Sequence, residues 1–77
     1  MEWTDRHEEW LRKEMTRRAG YTGMGGPYKS ETASAKGDED WPVWIVRNET
    51  CNSLGCCFTR AEADKIAERM NAIEEGA

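Results

Sequence analysis

The feature that most constrains the fold is an amphipathic segment near the end of the chain, TRAEADKIAERMNAIEE at residues 59–75. Thr59 and Glu62 have the spacing of a capping box, in which the two side chains satisfy backbone N–H groups at a helix start. The apolar residues that follow recur at helical spacing and form one face, namely Ala63, Ile66, Ala67, Met70 and Ile73. A chain of 77 residues must bury such a face to fold. The segment therefore predicts a helix over residues 60–75 that packs against the rest of the chain.

A second helix is predicted over residues 4–19, TDRHEEWLRKEMTRRA. Thr4 can cap its start, and Gly20 is placed to end it. One face carries Trp3, His7, Trp10, Leu11 and Met15. A basic stripe lies elsewhere on the helix and consists of Arg6, Lys13 and Arg17. Because the helix has four acids against five bases, its charges nearly balance, and we interpret this stripe as a solvated face.

The best candidate strand is WPVWIVRNE at residues 41–49, which is rich in β-forming residues. A turn and a short second strand at residues 56–58 would complete a β-hairpin over residues 41–58. Side chains alternate along a strand, so Val43 and Ile45 point to one side and Trp44 and Val46 to the other. We expect Val43 and Ile45 to face the two helices.

Residues 20–40, GYTGMGGPYKSETASAKGDED, are rich in glycine and small polar residues and predict a loop between the first helix and the hairpin. We expect this loop to be mobile from residue 30 onward. The chain is therefore predicted to be one small α+β domain over residues 1–77. Its order is helix, Gly-rich loop, β-hairpin and helix, with both helices packed on the hairpin.

All three cysteines lie in CNSLGCC, residues 51–57. A zinc site needs four ligands, usually in spaced pairs, and here His7 on a distant helix would have to supply the fourth. A disulfide between Cys51 and Cys56 would leave Cys57 unpaired. Asn52, Ser53 and Gly55 are common turn residues, and cysteine packs well as a small hydrophobe. We interpret the stretch as a hairpin connection and expect folding without metal, cofactor or disulfide.

Composition and motifs argue against several functions. The net charge of −4 does not favour direct nucleic-acid binding. No apolar run approaches the length needed to cross a membrane, and no signal peptide opens the chain, so we expect a cytoplasmic protein. The glycine run lacks the phosphate-loop pattern, and the single histidine, His7, has no evident carboxylate partner. We therefore expect that the protein is not an enzyme.

The unit that runs from WPVWIVRNE to FTRAEADKIAERMN, within residues 41–75, resembles units of small orphan bacteriophage proteins. The whole chain is similar to the short, acidic, non-enzymatic phage proteins that include anti-CRISPR inhibitors. This resemblance implies a protein-binding inhibitor in the cytoplasm of the host cell. It implies a partner that is a bacterial protein complex, such as a nucleic-acid-binding effector. It assigns no functional residue.

The predicted binding site combines aromatic and acidic residues, namely Tyr28, Asp38, Glu39, Asp40, Trp41 and Trp44. An aromatic anchor with a charged rim has the make-up of a protein interface. Alternatively, the glycine loop folds back so that Tyr21 and Tyr28 cover Trp44. Two other functions stay open: a nucleic-acid-binding module that uses the basic stripe with Arg18, and a metal or redox module that uses the cysteines with His7. A homodimer also stays open.

Overall fold

Two helices pack on a three-stranded antiparallel sheet in the computed structural model, which describes residues 2–20, 25–48 and 53–76 and, within these, the side chains of all but residues 53–57. The elements in chain order are α1 (Asp5–Arg18), β1 (Tyr28–Thr32), β2 (Trp44–Asn48), β3 (Ser53–Phe58) and α2 (Arg60–Gly76). The predicted α+β class, with helices packed on a β-hairpin, is confirmed. The hairpin is the pair β2–β3.

Both helices begin where their capping residues predict. In α2, the Thr59 backbone N–H donates to the Glu62 carboxylate at 3.1 Å, and the Glu62 N–H donates to the Thr59 hydroxyl at 3.2 Å. These reciprocal bonds are the capping box that the sequence indicated. In α1, Thr4 precedes the first helical residue, and its backbone N–H donates to Nδ1 of His7 at 3.1 Å.

The sheet has the order β1–β2–β3, and both pairings are antiparallel. Strand β1 lies inside residues 20–40, so the prediction of a loop throughout that segment is wrong for residues 28–32. Tyr28 pairs with Asn48 and Thr32 pairs with Trp44, at opposite ends of the β1–β2 ladder. The register between β2 and β3 shifts near Val46, which indicates a bulge in that pairing.

The side of β2 that faces the helices is the opposite of the predicted one. Trp44 and Val46 are buried, whereas Val43 and Ile45 are only half-buried. Ile45 lies on the same side of the strand as Arg47. This charged side chain would have to be buried if that side faced the helices. The prediction that Val43 and Ile45 face the helices is therefore wrong, and Trp44 belongs to the core.

The core lies between α2 and the sheet and is closed by α1. Its buried apolar residues are Leu11, Tyr28, Trp44, Val46, Ala63, Ile66, Ala67 and Met70. Trp10 of α1 meets Phe58 of β3 edge to face, with ring centroids 5.1 Å apart. Ile73 was expected in this core, but it is 43% exposed because it lies in the last turns of α2.

Candidate functional site

The structure divides the predicted binding residues between core and surface. Trp41 is 46% exposed, and residues 38–40 are exposed beside it. Trp44 and Tyr28, by contrast, are 8% and 4% exposed and belong to the core. The prediction that Trp44 and Tyr28 lie on the binding surface is therefore wrong. What remains at the surface is the connection between β1 and β2, residues 33–43, which we call the acidic loop.

Tyr28 is held in the core by contacts from both helices. Its hydroxyl donates to Glu74 of α2, and the guanidinium of Arg18 lies 4.3 Å from the centre of its ring. Burial, and then the bond to Glu74, raise the pKa of Tyr28 to about 12. The alternative in which Tyr21 and Tyr28 cover Trp44 is met in part, since Tyr28 lies in the same core cluster as Trp44. Tyr21 lies outside the described residues.

The acidic loop is closed by backbone hydrogen bonds. At its base, the Ala33 N–H donates to the carbonyl of Val43 at 2.9 Å and extends the β1–β2 ladder. Within it, the Gly37 N–H donates to the carbonyl of Ser34 at 3.0 Å. Gly37 has φ of 71°, a value that residues with a side chain rarely adopt. The loop therefore contains defined hydrogen-bonded turns, and its mobility stays a prediction.

A second set of bonds fixes the part of the loop that carries Trp41. The Trp41 N–H donates to the carbonyl of Asp38 at 3.1 Å, and the Asp40 N–H donates to the Asp38 carboxylate at 2.9 Å. The buried indole of Trp44 then donates from Nε1 to the carbonyl of Trp41 at 3.0 Å. The buried Trp44 thus holds the backbone of Trp41, and the Trp41 side chain stays half-exposed. The position of the Trp41 backbone is set by the core.

Negative charge is concentrated on the same loop. Among the described residues, none of the carboxylates at positions 38–40 is in an ion pair. The basic stripe of α1 differs, because each of its members is paired with an acid. The pairs are Arg6 with Glu62, Lys13 with Glu9, and Arg17 with Glu14. The acids beside the stripe offset its positive charge.

A hollow of about 460 Å³ opens where the acidic loop meets the sheet. Its walls are formed by Ser30, Glu31, Thr32, Ser34, Ala35, Gly37, Glu39, Trp44 and Arg47. Glu31 bonds Lys29 at 2.9 Å and Arg47 at 2.6 Å. The bonds to Lys29 and then to Arg47 hold the pKa of Glu31 below its usual range. The hollow is polar and bordered by strand β1.

The structure also shows a contact that the sequence did not predict, between the starts of the two helices. Nε2 of His7 lies 2.7 Å from the carboxylate of Glu62, and His7 is buried, with 7% of its surface exposed. Because Nδ1 accepts the Thr4 N–H, the ring proton is on Nε2 and is donated to Glu62. The expectation that His7 lacks a carboxylate partner is wrong.

Thr4, His7 and Glu62 have the residue types of a hydrolase triad, with the Thr4 hydroxyl 2.8 Å from Nδ1. The same Nδ1, however, accepts the Thr4 backbone N–H, and this bond uses the lone pair that a general base needs. Glu62 is likewise engaged with the backbone of Thr59. The group joins the caps of α1 and α2, and we interpret it as structural.

This junction predicts a dependence of stability on pH. The bonds from His7 and then from Thr59 hold the pKa of Glu62 below its ordinary value of 4.5. A carboxylate with a lower pKa in the folded state stabilises the fold above its unfolded pKa, and this stabilisation is lost as pH falls through the folded value. We expect Glu62→Gln to be about 1 kcal/mol less stable at neutral pH. We also expect its stability to fall less steeply than that of the wild type below pH 4.5.

Urea unfolding at a series of pH values measures this difference. Glu68→Gln is the matched control, because its carboxylate is exposed on the same helix. It should follow the wild type at every pH. Equal pH slopes for the wild type and Glu62→Gln would show that the junction does not favour the ionised carboxylate.

The described part of the chain shows neither a metal-binding cluster nor a membrane-spanning helix. Among the described side chains, no group of three or more His, Cys, Asp or Glu residues is placed to hold a metal ion. Cys51 lies outside the described residues, as do the side chains of Cys56 and Cys57, so the cysteine interpretation stays a prediction. No helix within the described ranges is both long enough and apolar enough to span a bilayer.

Comparison with known proteins gives no relative for this chain. No protein-family model, no curated protein and no solved structure matches it. The comparisons therefore assign no function to this chain.

Proposed function

We propose that the protein is a non-enzymatic binding module that inhibits a bacterial protein complex and uses the acidic loop as its interface. The observation that carries the proposal is the pairing of the two tryptophans. Trp44 is buried and holds the backbone of Trp41, whose side chain is 46% exposed next to three acids. The resemblance to phage inhibitors of the anti-CRISPR type gives the class of partner.

Trp41 serves as the anchor of this interface. Tryptophan is enriched among the residues that dominate binding energy, because it buries a large apolar area with few rotatable bonds. A side chain presented by an ordered backbone also loses less entropy on binding than one on a mobile loop. The hydrogen bonds at Asp38 and Trp44 supply that order here.

The acids at positions 38–40 form the rim of the interface and determine which type of partner surface is favoured. Unpaired surface carboxylates attract a basic surface and speed association with it. The nucleic-acid groove of a defence effector is such a surface. The net charge of −4 is too small to imitate a DNA duplex, so contacts of Trp41 and its surroundings carry most of the affinity. No cofactor takes part in this function.

The alternative function, nucleic-acid binding through the stripe of α1, has less support. Phosphate binding requires cations that can exchange counterions for phosphate. Each member of the stripe lies within 4.0 Å of a carboxylate, and two of the three pairs join residues one turn apart on α1. A phosphate would have to displace these acids.

Affinity capture from a bacterial lysate, with mass spectrometry of the bound proteins, tests the proposal. The variants to compare are Trp41→Ala and Ile73→Ala, because Ile73 is an apolar side chain of nearly equal exposure on a different element, α2. We expect the wild type and Ile73→Ala to enrich the same bacterial complex and Trp41→Ala to lose it. Equal capture by Trp41→Ala, or no protein retained above the bare resin by the wild type, would contradict the proposal.

A further inference from the structure

We propose that the outer edge of β1 binds an extended segment of the partner protein by strand addition, and that this segment carries an arginine or lysine side chain that enters the hollow beside the acidic loop. The inference rests on the proposed function and specifies how its partner is held. It comes from the hydrogen-bonding pattern of β1, from one side chain of α2, and from the charges around the hollow.

The ladder between β1 and β2 determines which backbone groups face outward. Ala33 donates to Val43, and in an antiparallel pair the hydrogen-bonded positions alternate. Glu31 and Lys29 therefore exchange bonds with β2. Tyr28, Ser30 and Thr32 lie at the intervening positions, so their N–H and C=O groups point away from β2, toward the edge of the sheet.

Asn71 of α2 already occupies the first of these three positions. Its Oδ1 accepts the Tyr28 N–H at 2.8 Å, and its Nδ2 donates to the Tyr28 carbonyl at 3.0 Å. A side-chain amide thus makes the two bonds that a residue of a neighbouring strand would make. The edge of β1 is in a geometry that accepts a backbone-like amide, and Asn71 ends that edge at Tyr28.

At the remaining two positions the Ser30 hydroxyl donates to Asp64 of α2, but the outward backbone groups have no partner among the described residues. No hydrogen bond from the described residues reaches the outward N–H of Ser30 or Thr32. Two adjacent open positions match the recognition mode in which an extended peptide adds a strand through main-chain bonds while pockets select alternate side chains. The hollow borders β1 at these same residues and supplies such a pocket.

The charge of the hollow selects the side chain. Glu31 is engaged with Lys29 and Arg47, and Arg47 is the guanidinium in the wall. Glu39 is the second carboxylate of the wall and, among the described residues, is in no ion pair. With its two acidic neighbours on the loop, it favours a cationic side chain over a neutral or anionic one.

A second copy of the chain fits this edge poorly. If Ser30 of one copy paired with Thr32 of the other, Glu31 would lie opposite Glu31, and like charges directly opposite are destabilising. If Ser30 paired with Ser30, Thr32 would need the backbone groups of Tyr28, which Asn71 holds. Both of these registers are unfavourable for a second copy, and we assign the edge to a different chain.

The variant Thr32→Pro tests the edge, because proline lacks the outward N–H of residue 32 and its ring occupies the edge. That N–H does not bond β2, and proline is tolerated on edge strands at such positions, so the fold is expected to persist. Thr32→Ala is the matched control, since it removes the same side chain but keeps the N–H. Both variants should give the dispersed amide spectrum of a folded protein.

The probe is the synthetic peptide acetyl-Thr-Val-Thr-Arg-Thr-Val-Thr-amide, titrated to millimolar concentration into isotope-labelled protein and followed by NMR. We expect shifts and slower hydrogen exchange at the amides of Ser30 and Thr32 in the wild type, and at residues 30 and 32 in Thr32→Ala. We expect binding at least about tenfold weaker for Thr32→Pro, and likewise for a peptide with glutamate in place of arginine. These results together would support the inference.

Several results would overturn it: no shifts at β1, equal binding by Thr32→Pro, or equal binding of the glutamate peptide. Protection of the Ser30 and Thr32 amides without peptide, together with a doubled mass in solution, would assign the edge to a second copy instead. The outcome is separable from that of the proposed function. Loss of capture by Trp41→Ala with no peptide binding at β1 would reject only the strand addition, whereas undiminished capture by Trp41→Ala would reject the acidic loop.

Discussion

Replacing Trp44 by Ala is expected to cost about 3–5 kcal/mol of stability, as large-to-small changes of buried aromatic residues do. The Trp44 side chain is 8% exposed and lies between the sheet and α2, with the guanidinium of Arg60 5.1 Å from its ring centre. The change also removes the bond that holds the Trp41 carbonyl. Because small domains have total stabilities of about 5–15 kcal/mol, this is a large fraction of the stability expected for this chain. Thermal unfolding followed by circular dichroism measures the effect.

Trp41→Ala is the control for this experiment. The same residue type is removed three positions away, but its side chain is 46% exposed. Surface substitutions away from special contacts usually change stability by within about 0.5 kcal/mol. A Trp44→Ala variant that melts at the same temperature as Trp41→Ala would show that Trp44 is not part of the core.

Ile66→Ala is expected to cost about 2–4 kcal/mol, the range of isoleucine truncations in well-packed cores. Ile66 is fully buried and lies on the face of α2 that covers the sheet, among Val46, Ala63 and Met70. The loss combines the transfer energy of the removed carbons with the cavity they leave. Denaturant unfolding of the purified variant gives the change in free energy.

The same helix offers a matched control in Ile73→Ala. This is the same chemical change at a position that is 43% exposed, so its cost should stay within about 0.5 kcal/mol. If both variants lose equal stability, the core extends to the end of α2. If neither loses stability, the sheet-facing side of α2 has been assigned incorrectly.

Local signals in the sequence were sufficient to predict the helices. The Thr59–Glu62 spacing and the apolar repeat of α2 are local features, and the observed helix Arg60–Gly76 follows them within one residue. For α1, the predicted range 4–19 exceeds the observed Asp5–Arg18 by one residue at each end. Helix ends depend on bonds between residues three or four positions apart, so a single sequence contains most of the information.

The face of β2 was harder to predict, because its apolar residues alternate on both sides. One signal was available in the sequence: Val43 and Ile45 share their side with Arg47, and a charged residue seldom faces a core. Trp44 and Val46 share theirs with Asn48, which is buried in the structure. The ordinary preference for burying the less polar side would have placed Trp44 correctly.

Strand β1 had no comparable signal. Its sequence YKSET contains one large apolar residue, Tyr28, and four polar residues, a composition typical of a solvent-exposed segment. What makes it a strand is tertiary: the ladder with β2, the amide of Asn71, and the bond from the Ser30 hydroxyl to Asp64. These partners lie far away along the chain, so propensity and local pattern could not indicate them.

The candidate site could be predicted only in part, because packing between distant residues decides which of its aromatic residues are buried. Residues 38–41 lie in a polar stretch, which predicts a position at the surface. They are exposed in the structure. Tyr28 and Trp44 were chosen as aromatic residues near those acids, but long-range packing buries both. The bond between the Trp44 indole and the Trp41 carbonyl could not be anticipated until Trp44 was known to be buried.

The most direct test of the proposed interface is the dissociation constant for binding of the captured bacterial complex. It is measured for the wild type and for Trp41→Ala under conditions in which both proteins are folded. If Trp41 is the anchor, its loss should cost more than about 2 kcal/mol, which is a rise in Kd of about thirtyfold. Ile73→Ala should bind like the wild type. A change of less than about threefold for Trp41→Ala would contradict the assignment of the acidic loop as the binding surface.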